Sequence, residues 1–224
     1  THGYRAHDFH FSYAERIGQP DCALPTLGID WLPTRPPVCL DQWRAENADD
    51  RWTTVMTWNN FRQPVVYHGK EYGTKELEFA KIEELPAHRP HVRFELAVGG
   101  SDPPIEQWQK AGWNVVDAQS VSTTADDYRH YIQASRGELS VAKNLYVAPR
   151  SGWFSCRSVC YLAAGRPVIV QDTGFSEFLP LGHGLHAFST TAQSLAAIDR
   201  VESDYRRHQS AARDVAAAYF DDRK

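Results

Sequence analysis

The spacing of apolar and polar positions changes period repeatedly along the chain, and each period names an element. Residues 52–58 are bulky and partly alternating, which predicts a strand. Over residues 74–85, Leu77, Phe79, Ile82 and Leu85 share one broad arc, which predicts a helix. Residues 92–98 form the next strand, residues 105–111 a short helix stopped by Gly112, and residues 113–116 another strand. A helix from about Asp126 to Ser135 precedes a short strand at residues 139–142. A helix over 156–164 leads to a β-branched strand at 167–170, and the chain is helical from about Ala192 to Phe220.

The start of the chain has a different texture. Residues 7–13 interleave aromatic and polar side chains as a strand does, and Gly18-Gln19-Pro20 stops it. Pro20, Pro25, Pro33, Pro36 and Pro37 then interrupt residues 20–50, each restricting itself and the residue before it. This stretch is expected to be a connector anchored by Trp31, Val38 and Trp43. Alternation of strands and helices after residue 49 requires a parallel sheet, because a parallel crossover needs a helix-sized return path. The expected fold is therefore α/β: residues 49–224 a Rossmann-like domain, residues 1–48 a connector and the tail of a preceding domain. With an opening Thr1 and no initiator Met, the chain is expected to be a piece of something longer. Ligands of such sheets collect beyond the carboxyl ends of the strands, so the loops after each strand are where chemistry is expected.

Composition narrows the class. A net charge of -4 with scattered Lys and Arg lacks the basic face that nucleic acid demands. No apolar run approaches the roughly 20 residues that span a bilayer, and no cleavable leader pattern opens the chain, so a cytoplasmic location is expected. Four cysteines (Cys22, Cys39, Cys156 and Cys160) are too few and too irregularly spaced for a disulfide framework.

The candidate chemistry concentrates between Arg150 and Gly174. Ser151-Gly152 reads as a turn, Ser155 as an N-cap, Gly165 as a C-cap and Pro167 as the start of a strand. A helix start bearing free N–H groups, the hydroxyls of Ser155 and Ser158, and Arg157 is suited to a diphosphate. The competing reading is a capped helix with a surface ion pair. At Tyr72-Gly73-Thr74-Lys75, Lys75 sits in a first helical turn, where a cation opposes the helix dipole and invites a functional reason. Arg136, Glu138 and Lys143 are a third candidate group, against a surface ion pair of little energy. Asp172, Thr173 and Gly174 are the fourth, against an ordinary turn after a strand. Cys156 and Cys160, four apart on one helix face, lack a second pair of metal ligands and read as small buried hydrophobes. Of the clustered His2, His7 and His10, strand alternation sends His7 and His10 to opposite faces. No metal site is expected.

The small-residue loop and helix, Ala163-Ala164-Gly165-Arg166-Pro167-Val168-Ile169 and Asp172-Thr173-Gly174 together resemble the donor segment of the group 1 glycosyltransferases of GT-B fold. Ser151-Gly152-Trp153-Phe154-Ser155, Arg157-Ser158, Tyr161-Leu162-Ala163 and Gln171 to Phe175 are similar to a bacterial subgroup of them. The resemblance covers about residues 50–220. It implies the C-terminal half of a GT-B enzyme that transfers a sugar from a nucleoside diphosphate sugar, its substrate, to an acceptor, with no further cofactor. Lys75 and Arg157 would neutralise the leaving diphosphate, assisted by the helix start at Ser155. Gly152, Ser158, Arg136, Glu138, Lys143, Asp172, Thr173 and Gly174 would line the donor. Where the family carries two glutamates eight residues apart, this chain has Gly152 and Cys160. A thiol cannot accept a bidentate pair of ribose hydroxyls. The resemblance also implies an absent N-terminal domain as partner, and apolar surface on the C-terminal helices that would promote self-association. Two alternatives stand beside it. One is a non-catalytic nucleotide-binding or scaffold module; the other is a sugar-nucleotide epimerase using Glu138, Glu177 or a histidine as acid or base.

Overall fold

The computed structural model describes residues 3–44, 47–59 and 64–224. His2 of the histidine cluster lies outside the described residues. Six parallel strands form the central sheet: β3 (Arg51–Thr57), β6 (Arg93–Gly99), β7 (Asn114–Asp117), β8 (Gly137–Ser140), β9 (Val168–Gln171) and β10 (Leu185–Phe188). Their spatial order is β10-β9-β8-β3-β6-β7. The chain enters at the centre, runs outward through β6 and β7, then returns to the other side of β3. This is the doubly wound arrangement, with its topological switch point between β3 and β8. Parallel register pairs Trp52 with Gly137 and Thr54 with Leu96.

Two hydrophobic cores sandwich the sheet. On one face, α5 (Ala125–Ala134), α7 (Cys156–Ala163) and α9 (Tyr205–Tyr219) bury Ile132, Leu162, Val168, Val170 and Ala212. On the other, α1 (Glu76–Phe79), α2 (Leu85–His88), α3 (Ile105–Lys110) and α8 (Thr191–Ser203) bury Trp52, Phe79, Trp108, Ile169 and Ile198. Val168 and Val170 thus face one core and Ile169 the other, as a two-residue period requires.

Local sequence sets the element ends. Thr124 and Asp127 close a capping box at the start of α5, and Thr190 and Gln193 do so for α8. α7 ends in a Schellman motif, with Gly165 N–H donating to Leu162 and Arg166 N–H to Tyr161. The expected helix over 74–85 is two short ones joined by turns. Pro86, lacking an N–H, is tolerated only in the first turn of a new helix, α2. Phe79, Ile82 and Leu85 keep their buried arc, whereas Leu77 is exposed. The final helical stretch is likewise broken, at Asp204, into α8 and α9.

Six strands and α-helices among the described residues lie outside the sequence expectation. They are β2 (Trp31–Pro33), the hairpin β4 (Val65–Tyr67) and β5 (Lys70–Tyr72), α4 (Ala118–Ser122), α6 (Asn144–Val147) and the edge strand β10. β2 pairs in parallel with β1 (His10–Ser12), a shorter strand than the aromatic stretch implied. His7 precedes that strand, so alternation does not separate it from His10, and the two rings meet edge to face at 6.3 Å. The connector is anchored as expected at Val38 and Trp43. Val38 pairs with Asp221, and Arg213 donates to the carbonyls of Leu40 and Trp43. Among the described residues the large exposed apolar side chains include Phe9, Phe11 and Leu27, and none lies on α8 or α9. Apolar exposure is instead found on the N-terminal segment and on the β4–β5 hairpin, where Val65 and Val66 are exposed, while α9 packs against α7. No helix among the described residues is long and apolar enough to cross a membrane.

Candidate functional site

At the switch point, the carboxyl ends of β3 and β8 diverge and open a cleft of about 350 Å³. Val55 to Thr57 form its floor, and Val141 to Lys143, Ala118 and Ser122 form its sides. Lys75, Tyr146, Trp153 and Arg157 complete the lining. The fold therefore delivers the two principal candidates, Lys75 and Arg157, to one cleft from two helix starts far apart in sequence.

Lys75 is the N-cap residue of α1 and is 6% exposed. Its Nζ donates to the Val141 carbonyl at 2.8 Å. Burial, with Arg157 and Lys143 acting in the same sense, holds its pKa well below the usual lysine value; Glu138 opposes the shift without reversing it. Arg157, in the first turn of α7, is gripped on all three nitrogens. Nε donates to Glu138 Oε1 at 2.6 Å, Nη1 to the Val55 carbonyl at 2.7 Å and Nη2 to Ser140 Oγ at 2.9 Å. Burial works against its charge, but Glu138, with Tyr128 and Tyr161 acting in the same sense, leaves the pKa raised. Glu138 is fully buried, and its Oε2 has no hydrogen-bond partner among the described residues. Lys143 lies half-buried at the rim, 6.0 Å from the Tyr146 ring centroid, with its pKa lowered by burial. Tyr146 and Trp153 stack at 4.4 Å and 22° to form an aromatic wall.

Three basic side chains thus face the cleft among the described residues, against the buried carboxylate of Glu138, whose Oε1 is engaged by Arg157. This imbalance, in a concave site with an aromatic side, is suited to an anion carrying a flat or ring-shaped group. Ser155 caps α7 by accepting the Arg157 N–H at 3.2 Å. Ser158 is buried with its hydroxyl unpartnered among the described residues. It lines an adjoining cavity of about 20 Å³, room for about one water.

Other candidates serve the architecture. Arg136 precedes β8 and lies at the amino edge of the sheet, where it pairs with Glu202 at 2.5 Å and stacks on Tyr205 at 3.5 Å. It is across the sheet from the cleft, and the structure does not bring it together with Lys75 and Arg157. Gly152 and Gly174 have φ of 75° and 100°, and a Cβ on either would lie 2.7 Å or 2.5 Å from the Arg16 side chain. These glycines make room for Arg16, and the Gly152 N–H is spent on the Thr173 carbonyl. Asp172 accepts from the Gly174 N–H and the Ser176 hydroxyl, and the Thr173 hydroxyl donates to the Trp153 carbonyl. Both fix the turn. Glu177 is tied to Arg16 and Arg150, which removes it as a cleft acid.

Arg16, Tyr146 and Trp153 were not legible as site residues. Arg16 crosses from the N-terminal segment, where its backbone N–H donates to the Ser151 carbonyl, and pairs with Asp21 and Glu177. Cys156 is exposed, and burial pushes the Cys160 thiol up to about 12. Among the described residues no group of three or more His, Cys, Asp or Glu is arranged to hold a metal.

No protein-family model matches the chain, and no curated protein matches it. Solved structures do. Sucrose-phosphate synthase from Thermosynechococcus elongatus superposes with a TM-score of 0.53 at 18% identity, over 86% of this chain and 49% of that one. Anabaena HepE, solved in complex with UDP and glucose, gives 0.53 at 15% identity, over 85% and 53%. The GtfA/B complex gives 0.51 at 14% identity, over 85% and 37%. The chain spans about half the length of the first two and less of the third. At these identities the likeness concerns architecture, and the architecture is the C-terminal Rossmann-like domain of the GT-B glycosyltransferase fold.

Proposed function

We propose that this chain is the donor-binding portion of a glycosyltransferase, which takes a sugar from a nucleoside diphosphate sugar and passes it to an acceptor held largely by another domain. The observation that carries the reading is the convergence of Lys75, Lys143 and Arg157 on one cleft at the switch point of the sheet. Developing negative charge on a departing diphosphate is stabilised most by cations fixed beforehand, and the grip on Arg157 fixes it. The Tyr146–Trp153 wall offers a stacking face to the base or the sugar. A cytoplasmic setting and the bacterial subgroup belong to the same proposal.

One observation favours a second reading, a module that binds a nucleotide without turning it over. Arg16 fills the space beside Gly152, where the family carries its first glutamate, and Cys160 stands at the second position. The epimerase reading weakens, because Glu138 is buried under Arg157 and Glu177 is held by arginines.

Calorimetric titration of the chain with nucleoside diphosphates and their sugars tests the proposal, with free nucleosides as controls. The expected result is binding that requires the diphosphate. Lys143→Ala should weaken it by about 1.5–3 kcal/mol, roughly tenfold to a hundredfold in Kd. Failure of every nucleotide to bind a folded chain would refute it. Turnover by a polypeptide that includes the acceptor domain separates the enzyme from the silent module.

A further inference from the structure

We propose that the cleft takes up its diphosphate together with one proton, and that Lys75 is the group that receives it. This rests on the donor-site reading above and concerns how that site is charged before and after binding.

The argument starts from Lys75 Nζ. It is buried, its one hydrogen bond goes to a neutral carbonyl, and among the described residues it makes no ion pair. A buried lysine ordinarily keeps its charge only when a carboxylate accompanies it. The groups facing it from every packed element supply no such partner. From α7 comes the Arg157 guanidinium, and from the turn after β8 the Lys143 ammonium, both repelling a third positive charge. From α6 comes Tyr146, whose hydroxyl burial keeps neutral. From β8 comes Glu138, whose Oε1 is committed to Arg157 and Ser140 and whose Oε2 makes no hydrogen bond to Lys75 or to any other described residue; its charge favours the ammonium without reversing the shift. Within its own segment, Glu76 accepts from Thr74, while Glu78 accepts from Asn144 and Gln171 at 2.7 and 2.5 Å and pairs with Lys81. The direction of the Lys75 pKa agrees with this geometry.

In the open cleft Lys75 is therefore a neutral amine donating to Val141. A diphosphate diester brings two negative charges to the place where the positive charges crowd one another. Repulsion from Arg157 and Lys143 is then offset, and the amine takes a proton from solvent to become an ammonium. Linkage fixes the sign. Binding raises the pKa of Lys75, so affinity is level below the free-site pKa and falls tenfold per pH unit above it. It levels again beyond the bound-site pKa.

The test is calorimetry with UDP-glucose, ADP-glucose and GDP-glucose, diesters whose phosphates hold no titrating proton near neutrality. At about pH 8, in HEPES and in Tris, the difference in measured enthalpy gives the protons exchanged. Uptake of more than half a proton per site is expected, with affinity falling as pH rises. Lys143→Met should bind more weakly yet keep the uptake, and Lys75→Met should lose it. Should Lys75→Met fail to fold, the wild-type uptake, the pH slope and the Lys143 variant still decide. Binding without proton uptake, or uptake lost with Lys143, overturns the inference and leaves the donor-site reading standing. No binding by a folded chain overturns both.

Discussion

Arg157 and Glu138 show why a buried charged residue is a poor ornament and a good anchor. Each is retained inside the protein because the other is present, and Ser140 and the Val55 carbonyl complete the fork. Removing one partner leaves an uncompensated buried charge, so Glu138→Ala should lower the free energy of unfolding by about 3–5 kcal/mol in urea melts. Glu138→Gln, which keeps a hydrogen-bond acceptor, should lose less. Thiol chemistry gives an independent check. With its thiol pushed up to about 12 by burial, Cys160 carries almost no thiolate at neutral pH, whereas Cys156 is exposed. Mass spectrometry after brief alkylation at about pH 8 should find Cys156 labelled and Cys160 unmodified; rapid labelling of Cys160 in the folded chain would contradict the burial. Lys75 and Arg157 could be read from sequence because each is a cation placed at a helix start, Lys75 after the strand-forming Tyr72 and Arg157 after a small-residue loop. Arg136 misled because proximity in sequence is not proximity in space. A strand of four residues spans about 13 Å, so residues on either side of β8 lie at opposite edges of the sheet.

Among elements, the N-terminal segment is the one whose role was least legible. Proline spacing identified a connector, but nothing local announces that Arg16 inserts between two distant glycine turns. That contact explains why Gly152 and Gly174 are glycines better than ligand approach does. Gly152→Ala adds a Cβ both at positive φ and against Arg16, and is expected to cost about 1–3 kcal/mol while speeding limited proteolysis of residues 14–23. Part of the loss should return in the Arg16→Ala background, and a double-mutant cycle measures the coupling. Strict additivity would show that the two do not meet. The β-α order from β3 to β9 was readable because buried parallel strands and amphipathic helices differ in period. α6 and the β4–β5 hairpin were not, since short elements held by tertiary contacts leave no periodic trace.

For the molecule as a whole, the doubly wound order carries two readouts, one at the β10 edge and one at the centre of the sheet. At the β10 edge, His186 and His208 are buried together, with His183 stacked on His208 at 5.7 Å. Burial first, then His208 and Arg200, lower His186 to about 4. A depressed folded value means that the unfolded chain binds the extra proton between about 4 and the ordinary histidine range. Stability is therefore complete above that range and declines as pH falls towards 4. Urea melts at pH values across this window should show the decline, and His186→Gln should reduce it, leaving the share of His208, whose pKa burial also lowers. At the β3/β8 switch point, the cleft is where the fold itself places ligands, so topology and charge agree on one location.

The most direct test of that agreement is a crystal structure of the chain with the nucleoside diphosphate that binds it most tightly. The account predicts the two phosphates among Lys75, Lys143 and Arg157, with the base or a sugar against Tyr146 and Trp153. A nucleotide seated elsewhere, with this cleft empty at saturating concentration, would contradict it.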